Sequence, residues 1–151
     1  MKYRTTNELE HFDFEEAVVS RIEAANGRVK IVLDNVTILP ENSCNRDIRK
    51  MRTHDFCLTL QEGKVSRLVE EVYKVYDADG NLKQTFEDRD LPEEQVAQGL
   101  EELAGLPVYR IAKEGTLYSM IVDGEDHSFR LEVEAEQDFG EWDRFLSMDS
   151  M

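Results

Sequence analysis

Between Glu15 and Ile38 apolar residues alternate in part with polar ones, the period of a strand with one buried face. Glu15-Glu16-Ala17-Val18-Val19-Ser20-Arg21-Ile22-Glu23 is rich in β-branched residues. Asn26-Gly27 follows, a dipeptide that tolerates the positive φ angles of a type I′ turn. Val29, Ile31 and Leu33 then alternate with Lys30, Val32 and Asp34, so the segment reads as strand, turn, strand. Beyond Leu33 the apolar parity switches to Val36 and Ile38. A β-bulge or bend near Asp34-Asn35 is expected to keep both sets on one face.

Pro40 to Thr53 reads as a connection rich in Asn, Asp and Arg. Phe56, Leu58 and Leu60 form one face of a further strand, ended by Glu62-Gly63. In 64–76, Val65, Leu68, Val69, Val72 and Tyr76 fit a helical stripe, yet Val69, Val72, Tyr73, Val75 and Tyr76 are strand formers. The turn signal Asp77-Ala78-Asp79-Gly80-Asn81 leads into Leu82-Lys83-Gln84-Thr85-Phe86. A hairpin needs a strand before it, which selects strand for 64–76.

Leu91-Pro92-Glu93-Glu94 opens the clearest helix, with Asp90 as its expected cap, acids in its first turn and Val96, Leu100 and Leu103 on its buried stripe. Gly105 and Pro107 stop it. Three strands follow: Val108-Tyr109-Arg110-Ile111, then Leu117 to Val122 after a Glu114-Gly115 turn, then Phe129 to Ala135 after Asp123-Gly124. In the last, Phe129, Leu131, Val133 and Ala135 face the core. Phe139, Trp142 and Phe145 recur every three residues, which predicts a short aromatic C-terminal helix. The expected fold is α+β: a mainly antiparallel sheet of about seven or eight strands, one central helix and the short aromatic one.

Length and composition fit that reading. A chain of 151 residues buries roughly 70% of its unfolded surface, and no linker or repeat divides it, so 1–151 is expected to be a single domain. Forty per cent of its residues are apolar, in strand and helix periods, which argues against disorder. The opening residues have no apolar core of a secretory signal, and no apolar run reaches the ~20 residues of a bilayer span. A soluble, cytoplasmic protein is expected, with Cys44 and Cys57 as reduced thiols.

Charge narrows the partners. There are 33 acidic and 18 basic residues, a net charge of −15. Residues 1–54 hold nine of each, whereas 77–103 hold nine acids and two bases and 123–149 hold ten and two. Such a surplus disfavours polyanions and membrane surfaces and favours a basic protein partner. Four bases at Arg46, Arg49, Lys50 and Arg52 make a weak nucleic-acid signal, better read as an internal counter-patch or a solvated loop.

Catalytic patterns are sparse. Asp77-x-Asp79-x-Asn81 resembles the start of a calcium loop, with Asp88 at its twelfth position. Leu82 stands where the sharp turn needs glycine, and Asp88 where a bidentate Glu is usual, so a plain hairpin turn is the better reading. His54 precedes Asp55, and His127 stands beside Asp123, Glu125 and Asp126, which leaves a metal-dependent hydrolase as an alternative. No nucleophile elbow, phosphate-binding loop or dinucleotide motif is present, no zinc spacing links the cysteines to His11, His54 and His127, and no motif calls for a cofactor.

Phe12-Asp13-Phe14-Glu15-Glu16-Ala17-Val18-Val19, Pro40-Glu41-Asn42, Tyr76 to Leu82 and Glu141-Trp142-Asp143 resemble segments of small bacterial domains of uncharacterised function. The first of them is similar to the opening of β-rich immunity proteins of polymorphic toxin systems, although that pattern often runs Phe-His-Asp and here the order is His11-Phe12-Asp13. The resemblance implies a fold type and carries over no catalytic residue. The leading expectation is a non-enzymatic interaction or immunity-type protein. Its partner-binding surface is expected at Asp123, Glu125, Asp126, Glu132, Glu134, Glu136, Asp138, Glu141 and Trp142. A small-ligand domain with its pocket between sheet and helix is a further alternative.

Overall fold

Asn26 and Gly27 make the turn their residues predict, with φ of +54° and +71°, and join β3 (Val18–Ala25) to β4 (Arg28–Asp34). The expected bend is at Asn35, where φ is +64°. It carries the chain from β4 into β5 (Val36–Ile38) with Leu33 and Val36 both fully buried. The computed structural model describes residues 2–71, 73–76, 78–80, 82–86, 88–124 and 128–147, with the backbone alone at 73–76 and 82–86.

The remaining strands are β1 (Tyr3–Thr6), β2 (Phe12–Asp13), β6 (Met51–Thr53), β7 (Phe56–Gln61), β8 (Lys64–Glu70), β9 (Tyr73–Tyr76), β10 (Leu82–Phe86), β11 (Arg89–Asp90), β12 (Val108–Glu114), β13 (Leu117–Asp123), β14 (Ser128–Glu134), β15 (Gln137–Trp142) and β16 (Leu146–Ser147). A 3-10 turn spans Leu9–His11, and one α-helix, α1, spans Glu93–Glu102. Residues 64–70 and 73–76 are strand, as the hairpin argument required.

The fold is α+β and antiparallel, but the expected single sheet is divided. Sheet I has the order β1-β15-β7-β4-β3, sheet II β11-β8-β14-β13-β12 and sheet III β16-β6-β5-β2, and β9 and β10 form a separate hairpin. The chain changes sheet at tight connections: Asn35, Glu62-Gly63 and Ala135-Glu136. Hydrophobic alternation says which face of a strand is buried and nothing about which sheet it joins. The segment read as a connection from Pro40 to Thr53 likewise ends in a strand, β6.

No aromatic helix closes the chain among the described residues. Phe139 and Trp142 lie on β15, and Phe145 follows it. Three residues apart on a strand means opposite faces. Phe139 points outward, 4.2 Å beneath the Arg4 guanidinium, and Trp142 is fully buried against Tyr3, Phe12, Phe56 and Phe145. β15 is a strand because β1 and β7 pair it on both sides. β1 itself, Tyr-Arg-Thr-Thr, has no hydrophobic alternation and owes its form to that pairing.

Sheets I and II present their inner faces to one hydrophobic core. Val29, Ile31, Leu33, Leu58 and Leu60 come from sheet I, and Leu68, Tyr118, Met120, Leu131 and Val133 from sheet II. Each large apolar side chain so buried contributes roughly 1.5–3 kcal/mol. A hydrogen bond crosses the layers: the Tyr118 hydroxyl donates to Asp138 Oδ2 at 2.7 Å. Helix α1 spans from one sheet to the other. Before it, Leu91 N–H donates to the Leu68 carbonyl on β8 (2.9 Å), and after it Gly105 N–H donates to the Val19 carbonyl on β3 (2.7 Å). The expected Asp90 cap is absent: Pro92 occupies the N-cap position with no side-chain cap. Asp90 is held in β11 by its pairing with Val69, so the helix starts only after the chain has left the sheet edge.

Candidate functional site

The β3–β4 turn and the turn from β7 into β8 meet where Gly63 N–H donates to the Gly27 carbonyl at 2.8 Å. From that junction β3 and β8 diverge into different sheets, and α1 lies across the opening. The three elements bound a cleft of about 980 Å³. Its apolar lining comes from Ile22, Val29, Val65, Leu91, Val96 and Leu100, with Glu23, Arg28, Lys64, Glu93 and Glu101 among its polar residues. Gly99 lies on the side of the helix toward sheet II, where a Cβ would meet the Leu68 methyl Cδ2 at 2.7 Å. This is the sheet-and-helix location expected of a ligand pocket. Two other hollows are smaller, about 520 Å³ beside Tyr3, Met51 and Phe145 and about 400 Å³ beside Phe12, Leu39 and Tyr109.

The cleft has two further properties. Helix α1, Glu-Glu-Gln-Val-Ala-Gln-Gly-Leu-Glu-Glu, carries four acids, and its last turn holds Glu101 and Glu102 with no base. Acids at a helix C-terminus oppose the helix dipole, by roughly 0.3–1 kcal/mol each at an exposed site. Both strand edges facing the cleft are also bare in part. β11 covers only Val69 and Glu70 of β8, and Leu91 reaches Leu68, which leaves Lys64 to Arg67 without a paired strand on that side among the described residues. Arg67 is committed elsewhere, to Asp90 (2.8 Å) and Glu132 (3.3 Å). Its hydrogen bond holds the Asp90 carboxyl below the usual carboxylate range.

No family model, curated protein or solved structure matches this chain. The cleft must therefore be read on its own chemistry.

Among the described residues, those expected at a partner-binding surface are divided between the two sheets. β14 belongs to sheet II and β15 to sheet I, so their outward faces lie on opposite sides of the sandwich. Glu132 is drawn into an ion network with Arg67 and Arg130, and Arg130 also holds Glu71 at 2.6 Å. Glu134 accepts from the Thr116 hydroxyl (2.8 Å), and Asp123 from Ser128 (3.3 Å). Glu136 is exposed at the crossing between sheets, and Glu141 lies on the outer face of sheet I, paired across the strands with Arg4. Asp138 and Trp142 are interior residues, 3% and 0% exposed, and take no part in a surface. Burial raises the Asp138 carboxyl above its ordinary pKa against the lowering effect of the Tyr118 hydrogen bond. Glu125, Asp126 and His127 lie outside the described residues, as do Asp77 and Asn81 of the calcium-like segment.

Of the basic stretch, Arg52 turns inward. It donates to Glu16 (2.8 Å), Asn35 (3.0 Å) and Thr37 (3.2 Å), so it serves the fold as a counter-charge, though not to the acidic segments. Arg49 binds Asp47 in the loop.

One cluster escaped sequence reasoning. Glu8 accepts from Ser43 N–H (2.8 Å) and from the Ser43 hydroxyl, and lies 3.0 Å from His11 Nδ1. Burial acts to raise the Glu8 carboxyl, but the bonds from Ser43 and His11 prevail and hold it low, while the bond to Glu8 raises the His11 pKa. A hydrolytic triad needs the imidazole beside the hydroxyl. Here the carboxylate stands between them, so the cluster ties the loop at Ser43 to the 3-10 turn. Among the described residues no group of three or more His, Cys, Asp or Glu is placed to hold a metal, and no helix is long and apolar enough to cross a membrane.

Proposed function

We propose that this protein is a non-enzymatic binding domain whose cleft between β3, β8 and α1 receives a segment of a partner protein bearing a Lys or Arg. The observation that carries the reading is the uncompensated acid at the negative end of α1, with Glu101 lining the cleft. No base in the last turn of the helix offsets it, and a bound cation would satisfy it. The apolar lining supplies the area that desolvation needs, and the acid end supplies the orientation. An inhibitor or immunity-type role fits such a domain, in keeping with the resemblance of its opening segment.

The test is an NMR titration of the ¹⁵N-labelled protein with an acetylated, amidated heptapeptide, Glu-Val-Thr-Val-Thr-Val-Lys, at low and high salt. Amides of Ile22, Ala24, Val65, Val96 and Leu100 are expected to shift, with binding weakened by salt. Glu101→Lys should raise the melting temperature slightly and weaken the peptide severalfold. Shifts confined to the outer face of sheet I, or none at low salt, would sink the proposal.

A further inference from the structure

The cleft offers a bare backbone edge as well as side chains, and we infer that its ligand is an extended peptide that adds to sheet I as a strand beside β3. The inference rests on the reading of the cleft as the binding site.

β3 is the edge of sheet I. The two-residue turn at Asn26-Gly27 makes Ala25 and Arg28 its closing pair, which exchange hydrogen bonds in a turn of this type. Antiparallel alternation then turns the N–H and C=O of Ala24 and Ile22 away from β4, toward the cleft. Nearer its start the same edge is already occupied by the chain itself. Val19 N–H donates to the Leu106 carbonyl (3.0 Å), Gly105 N–H to Val19 (2.7 Å) and Val108 N–H to Ala17 (2.8 Å), with Val18 bridged to Pro107. Strand addition to this edge is therefore already in use, and it stops short of Ile22. From Ile22 to Ala25 no backbone partner stands on that side among the described residues.

Natural sheets shield open edges with Pro, inward charges or bulges. Ile22-Glu23-Ala24-Ala25 has neither Pro nor Lys, the bulge of β3 lies before it between Val19 and Arg21, and its one charge, Glu23, is engaged by Arg21 at 3.2 Å. The free stretch accommodates about four extended residues, roughly 13 Å. Alternate side chains of such a ligand enter the cleft over Val65 and Val96 and must be apolar. Charge sets the register. Gly105 N–H meets Val19, so the last turn of α1 with Glu101 lies toward the Ile22 end, and Gly63 N–H meets Gly27, so Arg28 and Lys64 lie at the other; the ligand therefore carries a Lys or Arg at the first and an acid at the second. Main-chain bonds supply affinity in this mode and alternate pockets supply selectivity.

The test uses the same heptapeptide and two changes to the backbone bonds. Ala24→Pro removes an N–H that β4 does not use, a substitution an edge strand tolerates. An N-methylated heptapeptide removes the matching donors of the ligand. Both are expected to weaken binding at least tenfold, and the bound peptide should slow hydrogen exchange at the Ile22 and Ala24 amides. If Ala24→Pro does not fold, the methylated peptide and the exchange rates decide. If the peptide shifts Val65, Val96 and Leu100 while methylation leaves affinity unchanged and the Ile22 and Ala24 amides exchange as before, strand addition is overturned and the cleft reading stands. If no peptide binds the cleft, both fall. If sedimentation shows a dimer that Ala24→Pro dissolves, the occupant is a second copy of the chain and the peptide inference is wrong.

Discussion

Adding one methyl group at Gly140 should loosen the aromatic cluster of the core. A Cβ at that position would lie 2.9 Å from Phe56 Cζ, 3.1 Å from Phe12 Cζ and 3.1 Å from Thr5 Oγ1. Carbon atoms pack best at roughly 3.5–4.0 Å, so both rings must retreat by about half an ångström. Neither is free to do so. Phe56 is fully buried and Phe12 nearly so, their centroids are 4.8 Å apart, and each also packs on Trp142. Overpacking of this kind costs ~1–3 kcal/mol. The smaller conformational entropy lost by alanine offsets roughly 0.5–1 kcal/mol. Gly140→Ala is therefore expected to lose about 1 kcal/mol, and at most about 2.5, or ~2–4 °C in Tm per kcal/mol for a chain of this size. Urea unfolding followed by the fluorescence of Trp142, the single tryptophan, reads the cluster directly. Gly99→Ala is the contrast. Its Cβ would meet Leu68 Cδ2 at 2.7 Å and Leu91 Cδ2 at 3.0 Å, methyl ends of leucines rather than rigid rings, Leu68 buried and Leu91 only partly so, and alanine gains ~1 kcal/mol of helix propensity. Gly99→Ala should stay close to wild type. A Gly140→Ala protein as stable as wild type, or one less damaged than Gly99→Ala, would refute the packing argument.

Asp138 tests the sign of a buried charge. Burial raises its folded-state pKa, so the native state holds the proton more tightly than the unfolded chain, and stability falls as pH rises through that interval. Asp138→Asn, which still accepts the Tyr118 hydroxyl, should match or exceed wild type in urea titrations at pH 7 and lose its margin toward the ordinary carboxyl value of about 4. Tyr118→Phe removes the donor and should cost ~1–3 kcal/mol in the same assay. Asn35 sits at φ +64°, receives Arg52 and donates to the Glu16 carbonyl, so Asn35→Gly should be less destabilising than Asn35→Ala by thermal melting. Glu16 is 67% exposed, and Glu16→Gln should cost less than ~1 kcal/mol, whereas Arg52→Ala, which strips three partners of one interior side chain, should cost more in denaturant titration.

Local chemistry was legible where it is decided locally. The Asn26-Gly27 turn, the bend at Asn35, the buried alternations of β4, β7 and β14 and the body of α1 all follow from neighbouring residues. Sheet membership did not, because it depends on pairing between distant segments: β1 with β15 and β2 with β5 leave no mark in their own short sequences. Phe139, Trp142 and Phe145 misled because a three-residue period suits a helix, and only pairing by β1 and β7 turns Phe139 and Trp142 to opposite faces. Gly140, poor in helices and wedged under Phe12 and Phe56, was the available signal against a helix there. The acidic segment 123–149 was a good description of composition and a poor guide to surface, since adjacent strands within it belong to different sheets.

The cleft shows the reverse relation between local rules and structure. The ion network on sheet II binds Asp90, Glu132 and Glu71 to two arginines, so part of the acidic surplus is neutralised within the fold. The acids of α1 are placed differently: Glu101 and Glu102 oppose the helix dipole. Gly99 lowers helix propensity in the same turn, and the strands on either side expose unpaired backbone. Each choice weakens the isolated fold slightly, and all of them meet at one opening. Departures from local preference that gather at one opening are what a surface kept for binding would show, in line with the role proposed for the cleft. Glu101→Lys separates the two demands, because it should strengthen the helix and weaken the binding of the cationic peptide at once. A variant that did the first without the second would show that the acid end of α1 is incidental to the cleft.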